Sequence, residues 1–124
     1  MLNKTCYVLP ADQFSSAQLG VVSLFDDQVL GGSPEVRMRT LASDSAMEVG
    51  IWEHSPGTTT DIEADEVFVV LAGRATIDVK GGPTLEVGPG DIGFLAGGAS
   101  TEWTVHETFR KFYVVGVGQG ADIS

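Results

Sequence analysis

The sequence is poor in cysteine, in positive charge and in long apolar runs. Cys6 is its single cysteine, so no disulfide can form within the chain and a reducing, cytoplasmic compartment is expected. Lysine and arginine total 7 against 17 aspartates and glutamates, a formal net charge of −10. Nucleic acids and anionic membrane surfaces need clustered cations, so this balance speaks against both as partners. No stretch reaches the roughly 18 apolar residues of a membrane span, and the first residues do not have the pattern of a signal peptide.

What the sequence does contain indicates one small β-rich domain. Hydrophobic residues make up 43% of the 124 residues, and 16 glycines and 5 prolines separate short segments rich in Val, Ile, Phe, Thr and Trp. This pattern is typical of an all-β sandwich or barrel. Strands are predicted at 36–42, 47–55, 67–73, 74–80, 83–88, 91–96, 101–107 and 110–118. The first 34 residues lack this pattern and are predicted to form an arm with one short helical turn.

One predicted strand is apolar on both of its faces. The segment VFVVLA, residues 67–72, does not alternate between apolar and polar residues. Such a strand must be covered on both sides, by the interior of a barrel on one face and by something else on the other. In so small a protein the second cover is expected to be another subunit, which predicts a homodimer.

Four segments in order resemble the cupin superfamily. They are GIWEHSPG (50–57), DEVFVVLAGRATI (65–77), VGPGDIGFL (87–95) and WTVHETFRKFYVV (103–115). The resemblance is closest to the small single-domain cupins grouped with ureidoglycine aminohydrolase and ethanolamine-utilisation proteins. It implies a double-stranded β-helix, or jelly-roll barrel, over residues 35–118. The arm (1–34) then becomes an N-terminal extension, and residues 119–124 a C-terminal tail.

The resemblance also tells us where a metal would bind. Metal-binding cupins place two histidines two residues apart, a glutamate shortly afterwards and a further histidine on a later hairpin. Glu66, followed seven residues later by Gly73, fits the glutamate. The histidine positions then fall at Thr60 and Ile62, or at Thr59 and Asp61, and the last falls near Thr101. Threonine hydroxyls are poor ligands for transition metals and isoleucine cannot coordinate, so we predict no metal and no other cofactor. Asp61 and Glu66 leave open a weak site for a hard cation.

Four carboxylates precede the apolar strand. Asp61, Glu63 and Asp65 are expected to lie in a solvated loop. Glu66 begins the strand and is expected to face the barrel interior. There it is either a satisfied structural acid or a carboxylate with a raised pKa that acts in acid/base chemistry.

The histidines and the basic pair RK supply further candidates. Along the strand 47–55, Trp52 and His54 share one face while Ile51 and Glu53 share the other, and one of these pairs should line the cavity. His54 is the candidate that could join Glu66 in catalysis, whereas His106 is expected in a polar corner. Arg110 and Lys111 either pair with nearby acids or present one cation inward to bind a ligand carboxylate.

Three functions follow from these features. The first is a metal-free barrel that binds an unknown small molecule. The second is a hydrolase- or isomerase-type enzyme with Glu66 or His54 as general acid/base on a small amide, ureido or hydroxy-acid substrate. The third is a structural or regulatory dimer with a vestigial pocket. The candidate ligand-binding residues are Trp52, Thr60, Ile62, Thr101, Trp103 and Tyr113, with Glu66 and His54 as the catalytic candidates.

Overall fold

The computed structural model describes residues 5–116, which form β-strands joined by turns. The strands are β1 (Gly20–Val22), β2 (Val29–Gly31), β3 (Val36–Ser43), β4 (Met47–His54), β5 (Gly57–Ile62), β6 (Glu66–Val79), β7 (Thr84–Val87), β8 (Ile92–Leu95) and β9 (Ser100–Gly116). Short 3₁₀ turns lie at Ala11–Phe14, Ser16–Gln18 and Asp26–Gln28. Within residues 5–116 no helix is long and apolar enough to cross a membrane.

Two long strands, β6 and β9, pair with each other along almost their whole length and hold the barrel together. The C-terminal half of β9 pairs with β4 and its N-terminal half with β5. On the other side, the first residues of β6 pair with β8 and its last residues with β7. Two antiparallel layers result, β1-β3-β4-β9-β6-β8 and β2-β5-β9-β6-β7, which share β6 and β9. The predicted cupin jelly roll is confirmed.

The long strands change layer near Gly73. This residue has a φ of +82°, a left-handed conformation that favours glycine. The pairing of β6 with β9 is irregular at the same point, between Ala72 and Ala75. A Cβ at Gly73 would lie 2.1 Å from the carbonyl oxygen of Thr108, so the two backbones approach too closely for any side chain. A single glycine therefore permits the bend that separates the two layers.

The strand predictions differ from the structure in two ways. The segments predicted as 67–73 and 74–80 are one strand, β6, and those at 101–107 and 110–118 are joined in β9. The sequence also concealed β5, which includes Asp61, and the arm contributes β1 and β2 to the sheet. The end of the last predicted strand and the tail at 119–124 lie outside the described residues.

The core lies between the layers, and one outer surface is also apolar. Core residues include Phe68, Val70, Ile77, Val105 and Phe109. Alternate residues of β6 point outward instead, next to apolar residues of its neighbours β8 and β9. This outer apolar face comprises Val67, Val69, Leu71, Ile92, Phe94, Phe112 and Val114. Part of this face borders a cavity that Tyr7 and Phe14 of the arm also line, whereas Ile92 and Phe94 on β8 are 64% and 69% exposed. The second face of the two-sided apolar strand is therefore least covered beside β8.

Arginines hold the arm against the barrel. Arg39 donates to the backbone carbonyl of Gln13 (2.9 Å), while Arg37 and Arg110 reach those of Ser16 and Phe14 at 3.4 Å. Further along, the segment between β1 and β2 crosses one end of the barrel, where Leu24 and Gln28 line a cavity with Trp52 and Trp103. The arm therefore forms part of the cavity wall.

Candidate functional site

A buried ion pair lies inside the barrel. The ammonium of Lys111, on β9, donates to a carboxylate oxygen of Glu66, the first residue of β6, at 2.5 Å. Both residues are buried, with 4% and 8% of their surfaces exposed. Both face inward because strand alternation places Lys111 and Tyr113 on one side of β9, and pairing brings β6 beside it.

Aromatic rings surround the ammonium of Lys111. Its Nζ lies 4.5 Å from the ring centroid of Trp52, 4.7 Å from that of Trp103 and 4.8 Å from that of Phe68. The two indoles pack against each other with centroids 5.2 Å apart. A cation within about 6 Å of an aromatic face is attracted by the ring quadrupole, so these rings help to hold the ammonium group in place.

The ion pair forms part of the wall of a cavity of about 210 Å³. The cavity is lined by Met38, Glu48, Trp52, Asp61, Glu66, Trp103, Lys111, Tyr113 and Val115. A second cavity of about 230 Å³, which reaches the arm, shares four of these residues, Met38, Trp52, Asp61 and Trp103. The hydroxyl of Tyr113 donates to Glu48 at 2.9 Å. The lining thus combines aromatic walls with several carboxylates and one ammonium.

Burial raises the pKa values of Glu66 and Asp61 in this cavity. Desolvation raises the pKa of Glu66, and although Lys111 opposes the change, burial dominates. The pKa of Asp61 is also raised, first by burial and then by repulsion from Glu63. Burial and the hydrogen bond to Glu48 raise the pKa of Tyr113 as well, which keeps its hydroxyl neutral. For Glu66 and Asp61, the favourable interaction with Lys111 therefore does not fully offset the free energy lost on desolvation.

Glu63 is buried, which corrects the expectation of a solvated loop. Its carboxylate accepts hydrogen bonds from the hydroxyl of Thr101 at 2.6 Å and from the indole nitrogen of Trp103 at 3.0 Å. Asp65 accepts from the backbone N–H of Gly97 at 2.7 Å. Glu63 thus fixes the orientation of the Trp103 ring, and no sequence pattern pointed to this role.

His54 faces the core and has no exposed surface. Its Nδ1 lies 2.6 Å from the carbonyl oxygen of Ser55, so this nitrogen carries the proton, and the Thr59 hydroxyl donates to Nε2 at 2.9 Å. Burial lowers the pKa of His54, and the charge of Lys111 adds to the effect. The ring packs against Trp52, with centroids 5.3 Å apart. His54 is therefore an internally bonded neutral imidazole outside the lining of the cavity beside Glu66.

The structure brings together four of the predicted site residues. Trp52, Glu66, Trp103 and Tyr113 all line the cavity. Trp52 and His54 form the inward pair on β4, which resolves the choice against Ile51 and Glu53. Glu53 pairs with Arg110 at 2.8 Å instead.

The remaining predicted residues lie elsewhere. Thr101 is buried and bonded to Glu63, while Thr60 is half-buried and lines the second cavity. Ile62 is 67% exposed and does not line the cavity, which corrects its assignment as a ligand-binding residue. Strand alternation gives the reason, because the inward side of β5 carries Thr59 and Asp61, opposite Trp103 and Thr101 of β9.

The donors present do not fit a transition metal. At the family's metal position this chain offers the hydroxyls of Thr59 and Thr101 and the carboxylates of Asp61 and Glu66, without an imidazole. Both hydroxyls are already engaged, and Glu66 is bound to Lys111. Among residues 5–116 no three His, Cys, Asp or Glu side chains are placed to hold a metal ion together.

Lys111 is the main site residue that sequence reasoning left undecided. The signal was present, because in the segment RKFYVV the alternating positions Lys111, Tyr113 and Val115 share one face. Tyr113 was already expected to face the cavity, and the same alternation implies that Lys111 faces it too. The exposed His106, in contrast, lies 2.8 Å from the hydroxyl of Thr76, away from this site.

A family model and two similar solved structures point to the same family of proteins. A family model described as the EutQ-like cupin domain matches residues 41–113. The EutQ protein of Clostridium difficile superposes with a TM-score of 0.63 at 21% identity, covering 79% of this chain and 82% of its own. A putative ethanolamine utilization protein Q from Salmonella typhimurium gives 0.60 at 24% identity, covering 71% and 72%. None of the curated proteins matches the chain.

One similar structure belongs to a longer protein. A protein of unknown function from Pseudomonas syringae pv. tomato superposes with a TM-score of 0.68 at 28% identity and covers 81% of this chain. The match spans only 45% of that protein.

Proposed function

The chain belongs to the family of EutQ-like cupin domains, and on that premise we propose that it is a metal-independent barrel that binds a small molecule. The observation that carries this proposal is the buried pair of Lys111 and Glu66 in the wall of a cavity. Buried ion pairs rarely add net stability compared with apolar side chains of the same size. A buried charged group whose desolvation is unfavourable, and which borders a cavity with aromatic walls, is instead typical of ligand sites.

The position of the Lys111 ammonium supports metal independence. It lies against Glu66, the residue that matches the family's ligand glutamate, where it supplies the positive charge that the carboxylate needs. A metal ion there would have to displace this ammonium and find further donors among threonine hydroxyls. The ammonium of Lys111 therefore takes the place of a metal cation beside Glu66.

An acid/base enzyme is the second candidate. The observation in its favour is the raised pKa of Glu66, a carboxyl group that lines a cavity large enough for a small amide, ureido or hydroxy-acid compound. The vestigial-pocket alternative is weaker, since polar groups and free volume are both present beside Glu66.

Two further properties belong to the proposal. The outer apolar face is expected to pack against a second copy of the chain, giving a homodimer. A cytoplasmic location is expected from the single cysteine, Cys6, which is exposed and free.

The test of ligand binding uses a variant in which the cavity is filled. Val115 lines the cavity, so Val115→Phe should occupy part of its volume, whereas Val21→Phe adds the same bulk on the exposed strand β1. Chelator-treated protein would be screened by thermal shift against small amines, amino acids, carboxylic acids and amides, with product formation followed in parallel. We expect at least one class to raise the melting temperature of the native chain and of Val21→Phe, but not of Val115→Phe.

Metal analysis of untreated protein completes this test. We expect no stoichiometric metal in protein purified without an affinity tag. A stoichiometric transition metal, or a complete lack of stabilisation across the ligand classes, would contradict the proposed function.

A further inference from the structure

We infer that the cavity beside Lys111 binds a small monocationic ligand, a compound with an alkylammonium group, in preference to an anion. This inference rests on the proposed function and specifies the class of ligand. It is carried by the charges of the lining, by the way the chain's own ammonium is held there, and by the obstacle that an anion would meet.

The lining has more negative than positive groups. Three carboxylates, those of Glu48, Asp61 and Glu66, line the cavity together with one ammonium, that of Lys111. When all are ionised, Lys111 compensates one carboxylate and two negative charges remain. The contact at 2.5 Å assigns this compensation to Glu66, which leaves Asp61 and Glu48 to interact with a ligand. A ligand with one positive charge would reduce the imbalance, whereas an anion would increase it.

The structure already shows how an ammonium group is bound in this cavity. Lys111 Nζ is held by one carboxylate and by the faces of Trp52 and Trp103, with Phe68 as a third ring. The two indoles and Asp61 also line the second cavity, so the same kinds of group border space that Lys111 does not fill. Aromatic faces combined with a carboxylate are the usual recognition elements for ammonium ligands.

An anionic ligand would compete with Glu66. To reach Lys111, a ligand carboxylate would have to displace a buried carboxylate of the protein that already contacts the ammonium. It would also approach Asp61, whose pKa is already raised by burial and by Glu63. The structure therefore disfavours the arrangement in which Lys111 binds a ligand carboxylate.

The fluorescence of tryptophan provides a direct assay. The chain has two tryptophans, and both line the cavity, so intrinsic emission reports on this site. The probes are propylammonium and propionate, which have similar size and opposite charge, titrated at fixed ionic strength. Titrations should extend to about 100 mM, because a ligand of so few heavy atoms has limited affinity. We expect a saturable change with propylammonium and none with propionate.

Two variants with the same loss of charge localise the binding. Asp61→Asn should weaken propylammonium binding about fivefold, the effect of an interaction worth about 1 kcal/mol. Asp12→Asn, in the exposed 3₁₀ turn of the arm, should leave the affinity unchanged. Equal weakening in both variants would point to the overall charge and overturn the inference.

The outcomes separate the inference from the function on which it rests. Saturable binding of propionate without propylammonium would overturn the cationic ligand while leaving a binding barrel in place. If Val115→Phe failed to remove the propylammonium response, binding would lie outside the cavity and the inference would again be wrong. A lack of response to both probes, together with a negative thermal-shift screen, would overturn the inference and the proposed function.

Discussion

At the scale of single residues, the interior of this barrel is defined by buried polar and charged side chains. Lys111 and Glu66 satisfy each other, while Glu63 is satisfied by Thr101 and Trp103. His54 is satisfied as a neutral ring by Ser55 and Thr59. The pKa values of His54 and Glu66 are shifted by this environment, so the stability of the fold must depend on pH.

The lowered pKa of His54 predicts one part of that dependence. In the unfolded chain this histidine takes up a proton near its ordinary pKa of 6.5, while the buried ring of the native state takes it up only at lower pH. The unfolded state therefore binds more protons in this window, and the contribution of His54 to stability is lost as the pH falls below 6.5. Glu66 and Asp61 act in the opposite direction, since their raised pKa values favour the native state at low pH.

A difference measurement isolates the histidine. Urea unfolding of the native chain and of His54→Gln would be compared at about pH 7 and about pH 5. On acidification the native chain should lose unfolding free energy relative to His54→Gln, because the amide of the variant does not titrate while the acids remain in both proteins. An equal loss in both proteins would show that His54 does not contribute.

At the scale of elements, the bend of β6 depends on Gly73. We expect Gly73→Ala to lower the free energy of unfolding by more than about 3 kcal/mol, since it combines a left-handed backbone with a Cβ 2.1 Å from a carbonyl oxygen. Gly90→Ala is the matched control, with a φ of +88° and open space around the added Cβ, and should cost about 1 kcal/mol. Chemical denaturation measures both, and similar losses would disprove the role of the close approach.

The same elements show what the sequence could predict. Alternation and glycine-rich turns were sufficient for most strands and for placing Trp52 and His54 on one face of β4, because the pleat determines which side chains share a face. Which of the two faces points inward was left open, since both carry apolar and polar residues. The strand β5 was concealed because its threonines are followed by a run of acids, which are typical of loops. Glu63, which follows β5 directly, is a buried acid to which Thr101 and Trp103 of β9 donate hydrogen bonds. Contacts between segments so far apart in the chain leave no local pattern.

At the scale of the whole molecule, the outer apolar face predicts self-association. Phe94 and Ile92 are mostly exposed beside the outward residues of β6, and monomeric proteins rarely leave large continuous apolar patches in water. A stable dimer buries about 800 Å² on each partner, roughly the area that one face of a small barrel can supply.

Substitution of one aromatic residue tests this prediction. Phe94→Glu should convert a dimer to a monomer in sedimentation analysis, because it places a charge in the apolar contact. Leu30→Glu is the control, since Leu30 is 57% exposed on β2, outside the outer apolar face. A monomeric native chain, or a Phe94→Glu variant that remains dimeric, would contradict the proposed interface.

The central position of β9 has a consequence for how the protein opens. This strand carries Thr101, Trp103, Lys111 and Tyr113, and it is hydrogen-bonded to β6 along one edge and to β4 and β5 along the other. It therefore has no free edge from which it could fray over most of its length, and it should belong to the last cooperative unit to exchange its amide hydrogens. A ligand held by this strand would slow amide exchange throughout the barrel rather than in one loop. Ligand binding would therefore raise the protection factors of the same amides that report on global unfolding.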